Sequence, residues 1–172
     1  MSQLLVTPLS GLAEALDSHR PSHLVTLLSP LHMIPTPDGF DPDHHLQLAM
    51  DDVSDPAAAD FPPGRVHIDR LIAFSRRWDG TAPLVIHCWA GISRSMASAF
   101  AVLCDRLGPG RETEIALAMR RRAPHANPNA LLVRHADDAL GRGGRMVAAL
   151  SAMGPPVMMA EGVATVFPLA GL

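Results

Sequence analysis

The sequence contains no lysine and no tyrosine, and only two of its 172 residues are cysteines. All fourteen formal positive charges are therefore arginines, and a formal net charge of −3 argues against a general nucleic-acid-binding protein. Two cysteines cannot form the disulfide framework of a small secreted protein. No apolar run reaches the length of a membrane span. Residues 1–16 lack the basic start and long apolar stretch of a signal peptide, so we predict a cytoplasmic protein.

The length and composition indicate one globular domain with a substantial core. Apolar residues make up 48% of the chain and charged residues 18%, which excludes an intrinsically disordered protein. A chain of 172 residues can bury enough apolar surface to fold without disulfides or a structural metal.

The pattern of apolar residues predicts strands that alternate with helices. Continuous or alternating apolar runs predict strands at residues 4–6, 24–28, 45–50 and 84–86. Helical periodicity predicts helices near residues 10–16, 66–78, 95–107, 112–123 and 129–150. This order is typical of a single α/β domain with a mainly parallel central sheet flanked by helices. The last residues, 151–172, form an apolar tail that could cover the core or mediate self-association.

The most informative segment joins the strand at residues 84–86 to the next helix. It reads PLVIHCWAGISRSMASAF, so Cys88 follows a buried strand and Arg94 precedes a helix. Anionic ligands bind at such connections, because backbone N–H groups and the helix dipole provide positive potential there. Gly91 allows the backbone to approach a ligand closely, and the Arg94 guanidinium matches two oxygens of a phosphate. Helix N-termini and cations favour the thiolate form of cysteine, so we expect Cys88 to be a nucleophile.

The segment HCWAGISRS resembles the active-site loop of the cysteine-dependent protein tyrosine phosphatases, His-Cys-x-x-Gly-x-x-Arg-Ser/Thr. It most resembles the small dual-specificity branch of that superfamily. The resemblance implies a protein tyrosine phosphatase-like fold with the catalytic domain in residues 1–150. It also implies hydrolysis of phosphate monoesters without a metal or another cofactor. The alanine-, arginine- and proline-rich composition is compatible with a bacterial source.

The resemblance further implies a role for each residue of the loop. Cys88 would attack phosphorus and form a phosphocysteine intermediate, and Arg94 would bind the phosphoryl oxygens. Ser95 would help the thiolate leave, and His87 would support the loop. The positions between the cysteine and the arginine would bind phosphate mainly through backbone N–H groups: Trp89, Ala90, Gly91, Ile92 and Ser93.

The general acid of this family is an aspartate on a loop that precedes the cysteine and follows a strand of alternating apolar residues. The segment LQLAMDDVSDP fits this description, and aligning its alternating residues favours Asp52. Asp51 is the second candidate and Asp55 the third, and the segment could instead be only a solvated, helix-capping loop. The sequence NPNAL resembles a Pro-Asn segment of dual-specificity phosphatases whose asparagine braces the active-site loop, which assigns a supporting role to Asn129.

Two further features favour structural roles over chemistry. Cys104 falls near the apolar stripe of a helix and is predicted to be a buried small side chain, with a reversible disulfide to Cys88 as the alternative. Nine histidines are present, but none of their spacings matches a zinc site, so we expect no metal. The arginines at 120–122 are predicted to form a solvated helix end.

The leading hypothesis is a protein tyrosine or dual-specificity phosphatase that acts on phosphoproteins or small phosphoesters. Tyrosine-specific members of the family form a deep slot with a tyrosine, so the lack of tyrosine favours a shallower pocket. A phosphoinositide phosphatase is the alternative, although relatives of that kind often have lysines in the loop. A sulfurtransferase or arsenate reductase-type cysteine enzyme, and a non-catalytic phosphate-binding adaptor, are further alternatives.

Overall fold

The structure is a computed structural model that describes residues 2–172, and its centre is one five-stranded sheet. The strands are β1 (Gln3–Pro8), β2 (His23–Leu28), β3 (His45–Ala49), β4 (Leu84–Cys88) and β5 (Thr165–Pro168). Their spatial order is β3-β2-β4-β1-β5. The first four are parallel to their neighbours, and only β5 runs antiparallel to β1. The predicted α/β fold with a mainly parallel sheet is confirmed.

Among residues 2–172, six α-helices cover the two faces of this sheet unequally. They are α1 (Leu12–His19), α2 (Arg65–Arg77), α3 (Arg94–Leu107), α4 (Glu112–Arg122), α5 (Ala130–Ala139) and α6 (Arg145–Met153). Helix α1 packs on one face, and the larger core under α2 to α6 lies on the other. The predicted helix at 129–150 is in fact two helices, because glycines at 141, 143 and 144 adopt positive φ angles between α5 and α6.

Continuous apolar runs form the inner strands because both faces of the sheet are covered. In β1, Leu4 and Val6 point into the larger core, whereas Leu5 points into the smaller core beside α1. In β4, Ile86 likewise points into the larger core and Val85 into the smaller core. No helix among residues 2–172 is long and apolar enough to cross a membrane.

The apolar tail is part of the domain. Helix α6 continues past residue 150 to Met153, so the boundary predicted there does not coincide with the end of an element. Strand β5 then pairs with β1 at the edge of the sheet, and its Phe167 side chain is completely buried. The last residue, Leu172, is only 7% exposed. The tail therefore extends the sheet and seals the larger core.

The parallel strands bring the ends of distant segments together. The carboxyl ends of β1, β2, β3 and β4 lie at one edge of the sheet, because neighbouring strands run in the same direction. The loops that follow these strands therefore meet at that edge, which is where open α/β proteins bind ligands. Cys88 is the last residue of β4 and lies at this edge.

If β5 seals the core, Phe167→Ala should destabilise the whole domain. Truncating a fully buried phenylalanine typically lowers the free energy of unfolding by about 3–5 kcal/mol, and urea denaturation measures this value. The control is Val163→Ala, since Val163 is 57% exposed and should change stability by less than about 0.5 kcal/mol. A loss below about 1 kcal/mol for Phe167→Ala would show that β5 is not part of the cooperative core.

Candidate active site

Cys88 lies at the bottom of a tight loop, residues 89–93, which we call the phosphate loop. The thiol is 1% exposed, and its Sγ lies 3.1 Å from the Oγ of Ser95 in the first turn of α3. Helix α3 begins at Arg94 and points its N-terminus at the loop. The positive end of the helix dipole therefore faces the sulfur.

The phosphate loop is held from outside through its carbonyl groups. Each of these carbonyls accepts a backbone N–H from another part of the chain: Trp89 from Leu9 at 3.1 Å, Ala90 from Gly162 at 2.8 Å, Ile92 from Asn127 at 2.9 Å, and Ser93 from Asn129 at 3.3 Å. A trans peptide unit directs its N–H away from its own C=O. Anchoring the carbonyls outward therefore turns the adjoining N–H groups towards the inside of the loop, where they can bind an anion.

Gly91 is required at its position for two reasons. Its φ angle is +69°, in the left-handed region that side chains disfavour. A Cβ atom there would also lie 2.7 Å from the backbone nitrogen of Pro8 and 3.0 Å from the carbonyl carbon of Thr7. The end of β1 thus packs directly against the backbone of the loop, a contact other than the close approach to a ligand that was predicted for Gly91.

Arg94 is fixed on one side and open on the other. Its Nη1 donates to the carbonyl oxygen of Met50 at 2.8 Å, and its side chain is 6% exposed. The buried Nε has no hydrogen-bond partner, although it lies 3.7 Å from an Asp52 carboxylate oxygen. A cavity of about 220 Å³ adjoins it, lined by Leu28, Ser29, His32, Trp89 and Arg94. The guanidinium therefore has donor capacity left for the oxygens of a ligand.

Of the three candidate aspartates, only Asp52 reaches the phosphate loop. One of its carboxylate oxygens accepts the Ser93 hydroxyl at 2.6 Å and the Asn129 side-chain amide at 2.9 Å. Asp51 instead bonds with the backbone of Phe61 within its own loop. Asp55 caps a short 3-10 turn that follows it. Asp52, the first of the three candidates, is therefore the one whose carboxylate faces the loop.

Asn129 links the aspartate loop to helix α5. Its side-chain oxygen accepts the N–H groups of Leu131 and Leu132, which caps the helix. Its amide nitrogen donates to Asp52 and to the carbonyl of Val53 at 3.0 Å. The side chain thus fixes the aspartate loop to the start of α5, whereas the Pro-Asn resemblance implied a brace on the active-site loop, which Asn129 contacts through its backbone N–H to the Ser93 carbonyl.

A buried chain of polar side chains lies beneath the site. The Thr26 hydroxyl is 2.7 Å from Nε2 of His87 and 2.8 Å from Nε2 of His45. His45 in turn lies 2.9 Å from the Thr36 hydroxyl. Burial lowers the pKa of His87 to about 4, so this side chain is neutral at pH 7. A hydroxyl has one proton to donate, so it donates to one imidazole and accepts from the other.

Several residues that build this site were not predicted in these roles. Trp89 was predicted to bind phosphate mainly through its backbone, and its ring also lines the cavity and lies 5.3 Å, centroid to centroid, from the ring of His32. Thr26 and His45 gave a signal that could have been used, since both are polar residues in strands predicted to be buried. Met50 and Gly162 act through backbone atoms, so their residue types in the sequence do not indicate these contacts.

Cys104 is not positioned to react with Cys88. It is completely buried, and burial raises the pKa of its thiol to about 12. It follows Ser95 by nine residues in α3, a rise of roughly 13 Å along the helix, whereas the Cα atoms of a disulfide are less than about 7 Å apart. The prediction of a buried small side chain fits the structure, and the disulfide alternative does not.

The depressed pKa of His87 predicts a loss of stability in acid. Above pH 6.5 both the folded and unfolded states hold this residue neutral, and between pH 6.5 and about 4 only the unfolded state binds its proton. The free energy of unfolding should therefore fall across this window, with His87 contributing up to about 3 kcal/mol. Urea denaturation from pH 7 to pH 4 should show a weaker pH dependence for His87→Asn, whereas the exposed-site control His19→Asn should match the wild type. Equal slopes for all three proteins would contradict the assignment.

Comparison with solved structures identifies the fold. DUSP15 aligns with a TM-score of 0.62 and 17% identity, over 89% of this chain and 89% of that chain. The Yvh1 phosphatase domain from Chaetomium thermophilum gives 0.57 and 23%, over 83% and 93%. PTPMT1 in complex with PI(5)P gives 0.56 and 13%, over 88% and 94%. Neither the sequence profiles of known families nor the sequences of curated proteins match the chain. The chain has the fold of the dual-specificity and protein tyrosine phosphatases, as the phosphate-loop resemblance predicted.

Proposed function

We propose that the protein hydrolyses phosphate monoesters through a phosphocysteine intermediate on Cys88. The observation that carries the proposal is the geometry around this thiol. It lies at the base of a loop with outward-anchored carbonyls, at the N-terminus of α3 and 3.1 Å from the Ser95 hydroxyl. The buried guanidinium of Arg94 has an unpartnered N–H beside the same cavity. This combination suits a phosphate dianion and a sulfur nucleophile.

In the first step, the phosphoryl group binds the loop N–H groups and Arg94. The Cys88 thiolate attacks phosphorus, so that an S–P bond forms while the bond from phosphorus to the leaving oxygen breaks. Asp52 gives its proton to that oxygen. Asp52 is the candidate for this role because its carboxyl group accepts hydrogen bonds from Ser93 and Asn129 beside the loop and lies 3.7 Å from Nε of Arg94.

In the second step, water attacks the phosphorus of phosphocysteine and the S–P bond breaks. The Asp52 carboxylate accepts the proton of the attacking water. The Ser95 hydroxyl donates to the departing thiolate, because its oxygen already lies within hydrogen-bond distance of the sulfur. Inorganic phosphate leaves, and Cys88 returns to its starting state.

The cavity favours a phosphorylated side chain of a protein over a polyanionic lipid headgroup. Apart from Arg94 its lining contains no arginine, and Trp89 and His32 form an aromatic wall that suits a substrate ring. The neighbouring loop, residues 50–64, contains four aspartates and no arginine or lysine, so it repels additional phosphates. A phosphoinositide is the second candidate, since the similarly folded PTPMT1 is known in complex with PI(5)P.

A direct assay tests the proposed activity. We expect the protein to hydrolyse 4-nitrophenyl phosphate in the presence of EDTA, and orthovanadate to inhibit it. Cys88→Ser should abolish turnover, because the hydroxyl is a far weaker nucleophile than a thiolate. Cys104→Ser is the matched control and should keep most of the activity, since Cys104 lies in the core away from the loop.

Other outcomes of this assay identify the alternatives. Turnover by Cys88→Ser, or a requirement for a metal ion, would refute the phosphocysteine mechanism. Tight binding of a phosphopeptide without turnover would indicate an adaptor. Running the assay with phosphotyrosine and phosphothreonine peptides and with phosphatidylinositol phosphates then separates the two substrate classes, and faster turnover of the peptides is expected.

The proposed general acid is tested with a pair of substrates that differ in their leaving groups. Asp52→Asn should lower kcat by about 100-fold for phenyl phosphate, whose leaving group needs a proton. The effect on 4-nitrophenyl phosphate should be smaller, because nitrophenolate leaves readily without one. Asp51→Asn makes the same chemical change at the neighbouring position, and we expect it to lower kcat by less than about threefold. A larger loss for Asp51→Asn than for Asp52→Asn would transfer the role to Asp51.

A further inference from the structure

Residues 154–163, which we call the C-terminal strap, run between α6 and β5 and contact the outer side of the phosphate loop. We propose that this strap positions the phosphate loop for anion binding, with Gly162 as its positioning residue. The inference builds on the proposed phosphatase function. It gives a function to the segment that the sequence analysis left without a placement.

Gly162 makes the direct contact between the two segments. Its N–H donates to the carbonyl of Ala90 at 2.8 Å, which is one of the bonds that anchor the loop from outside. A Cβ atom at Gly162 would lie 2.7 Å from the ring of His125 and 3.1 Å from the carbonyl oxygen of Gly91. His125 is 2% exposed, so its ring has little room to move. Backbone therefore packs on backbone here, with no space for a side chain.

The start of the strap is clamped by Arg120. This guanidinium was expected at a solvated helix end, but it donates to three carbonyl groups near the beginning of the strap: Pro124 at 2.5 Å, Gly154 at 3.0 Å and Met153 at 3.3 Å. The N–H of Val157 also donates to Pro124, at 2.8 Å. These bonds hold the strap against the segment between α4 and α5.

The far end of the strap is fixed as well. The Glu161 carboxylate accepts the Ser10 hydroxyl at 2.7 Å, one residue after Leu9, whose N–H anchors Trp89. Beyond residue 163 the chain enters β5, which pairs with β1. Because both ends are anchored, Gly162 cannot drift away from Ala90 without breaking other bonds. The strap can therefore hold the orientation of the peptide that joins Ala90 to Gly91 and direct its N–H into the loop.

The first test is Gly162→Ala, whose Cβ forces the strap away from the loop. We expect kcat/KM for 4-nitrophenyl phosphate to fall about tenfold and the inhibition constant of orthovanadate to rise by a similar factor, as the loss of one orienting hydrogen bond predicts. The vanadate readout separates loop positioning from general destabilisation, because it reports anion affinity of the folded protein. The matched control is Gly64→Ala, since a Cβ there meets only His67 at 3.8 Å, and both values should stay at the wild-type level.

The second test loosens the strap without touching the loop. Arg120→Gln removes the clamp on the carbonyls, and we expect about a threefold fall in kcat/KM with a matching rise in the vanadate constant. Arg121→Gln removes the same charge from the neighbouring exposed residue and should change neither value. This pair decides the question if Gly162→Ala does not fold.

The outcomes distinguish the two proposals. An inactive wild-type protein would overturn the phosphatase function itself. The wild type could instead be active while the folded Gly162→Ala and Arg120→Gln variants keep normal kcat/KM and vanadate binding. This result would overturn the positioning role of the strap and leave the phosphatase function standing. A fall in activity for Arg121→Gln equal to that for Arg120→Gln would also overturn it, because the effect would then follow charge and not the clamp.

Discussion

The central constraint of this structure is the outward hydrogen bonding of the phosphate-loop carbonyls. A loop whose N–H groups point towards one another is unfavourable, since those dipoles repel each other. The chain offsets this cost because carbonyl groups of the same peptides accept hydrogen bonds from donors outside the loop. These hydrogen bonds fix the orientation of the loop's peptide groups, which is the preorganisation that the proposed anion binding and catalysis require. The rest of the fold brings those donors to the loop.

The donors come from segments that are far apart in sequence. Leu9 follows β1, Asn127 and Asn129 precede α5, and Gly162 precedes β5. The parallel sheet brings the end of β1 to the same edge as the end of β4, and β5 returns the tail to β1. Gly91 permits this convergence because any side chain there would strike the backbone of β1. The packing at the sheet edge and the shape of the proposed anion site therefore depend on the same contacts.

Much of this could be predicted from residue types. The fixed spacing of Cys88, Gly91 and Arg94 identified the loop, because thiol, guanidinium and left-handed backbone each demand a particular residue. Aligning the alternating apolar residues with the pattern that the resemblance implies favoured Asp52, whose carboxylate faces the loop in the structure. The phosphatase fold followed from these signals and is the fold found by comparison.

The remainder depends on backbone contacts, which carry little residue-type information. Nothing in PPVMMAEGVATVFP marks Gly162 as a donor to Ala90, and β5 is only four residues long, too short for a clear strand pattern. Arg120 looks the same in sequence as its two arginine neighbours, although it alone of the three clamps the strap start in this structure. Such contacts are fixed by the tertiary structure, which brings atoms together irrespective of the side chains they belong to.

The distribution of charge makes this backbone support more important here than in a more basic site. Within residues 2–172, Arg94 is the one arginine lining the cavity, and Asp52 lies close enough to offset part of its potential. Most of the remaining attraction for a phosphate dianion must come from the N–H groups of the loop and the N-terminus of α3. Dipole interactions depend steeply on orientation, whereas a mobile lysine could adjust to a misplaced phosphate. Under the proposed function, a chain without lysine relies on the placement of its peptide groups, and providing that placement is the role we propose for the anchored carbonyls and the strap.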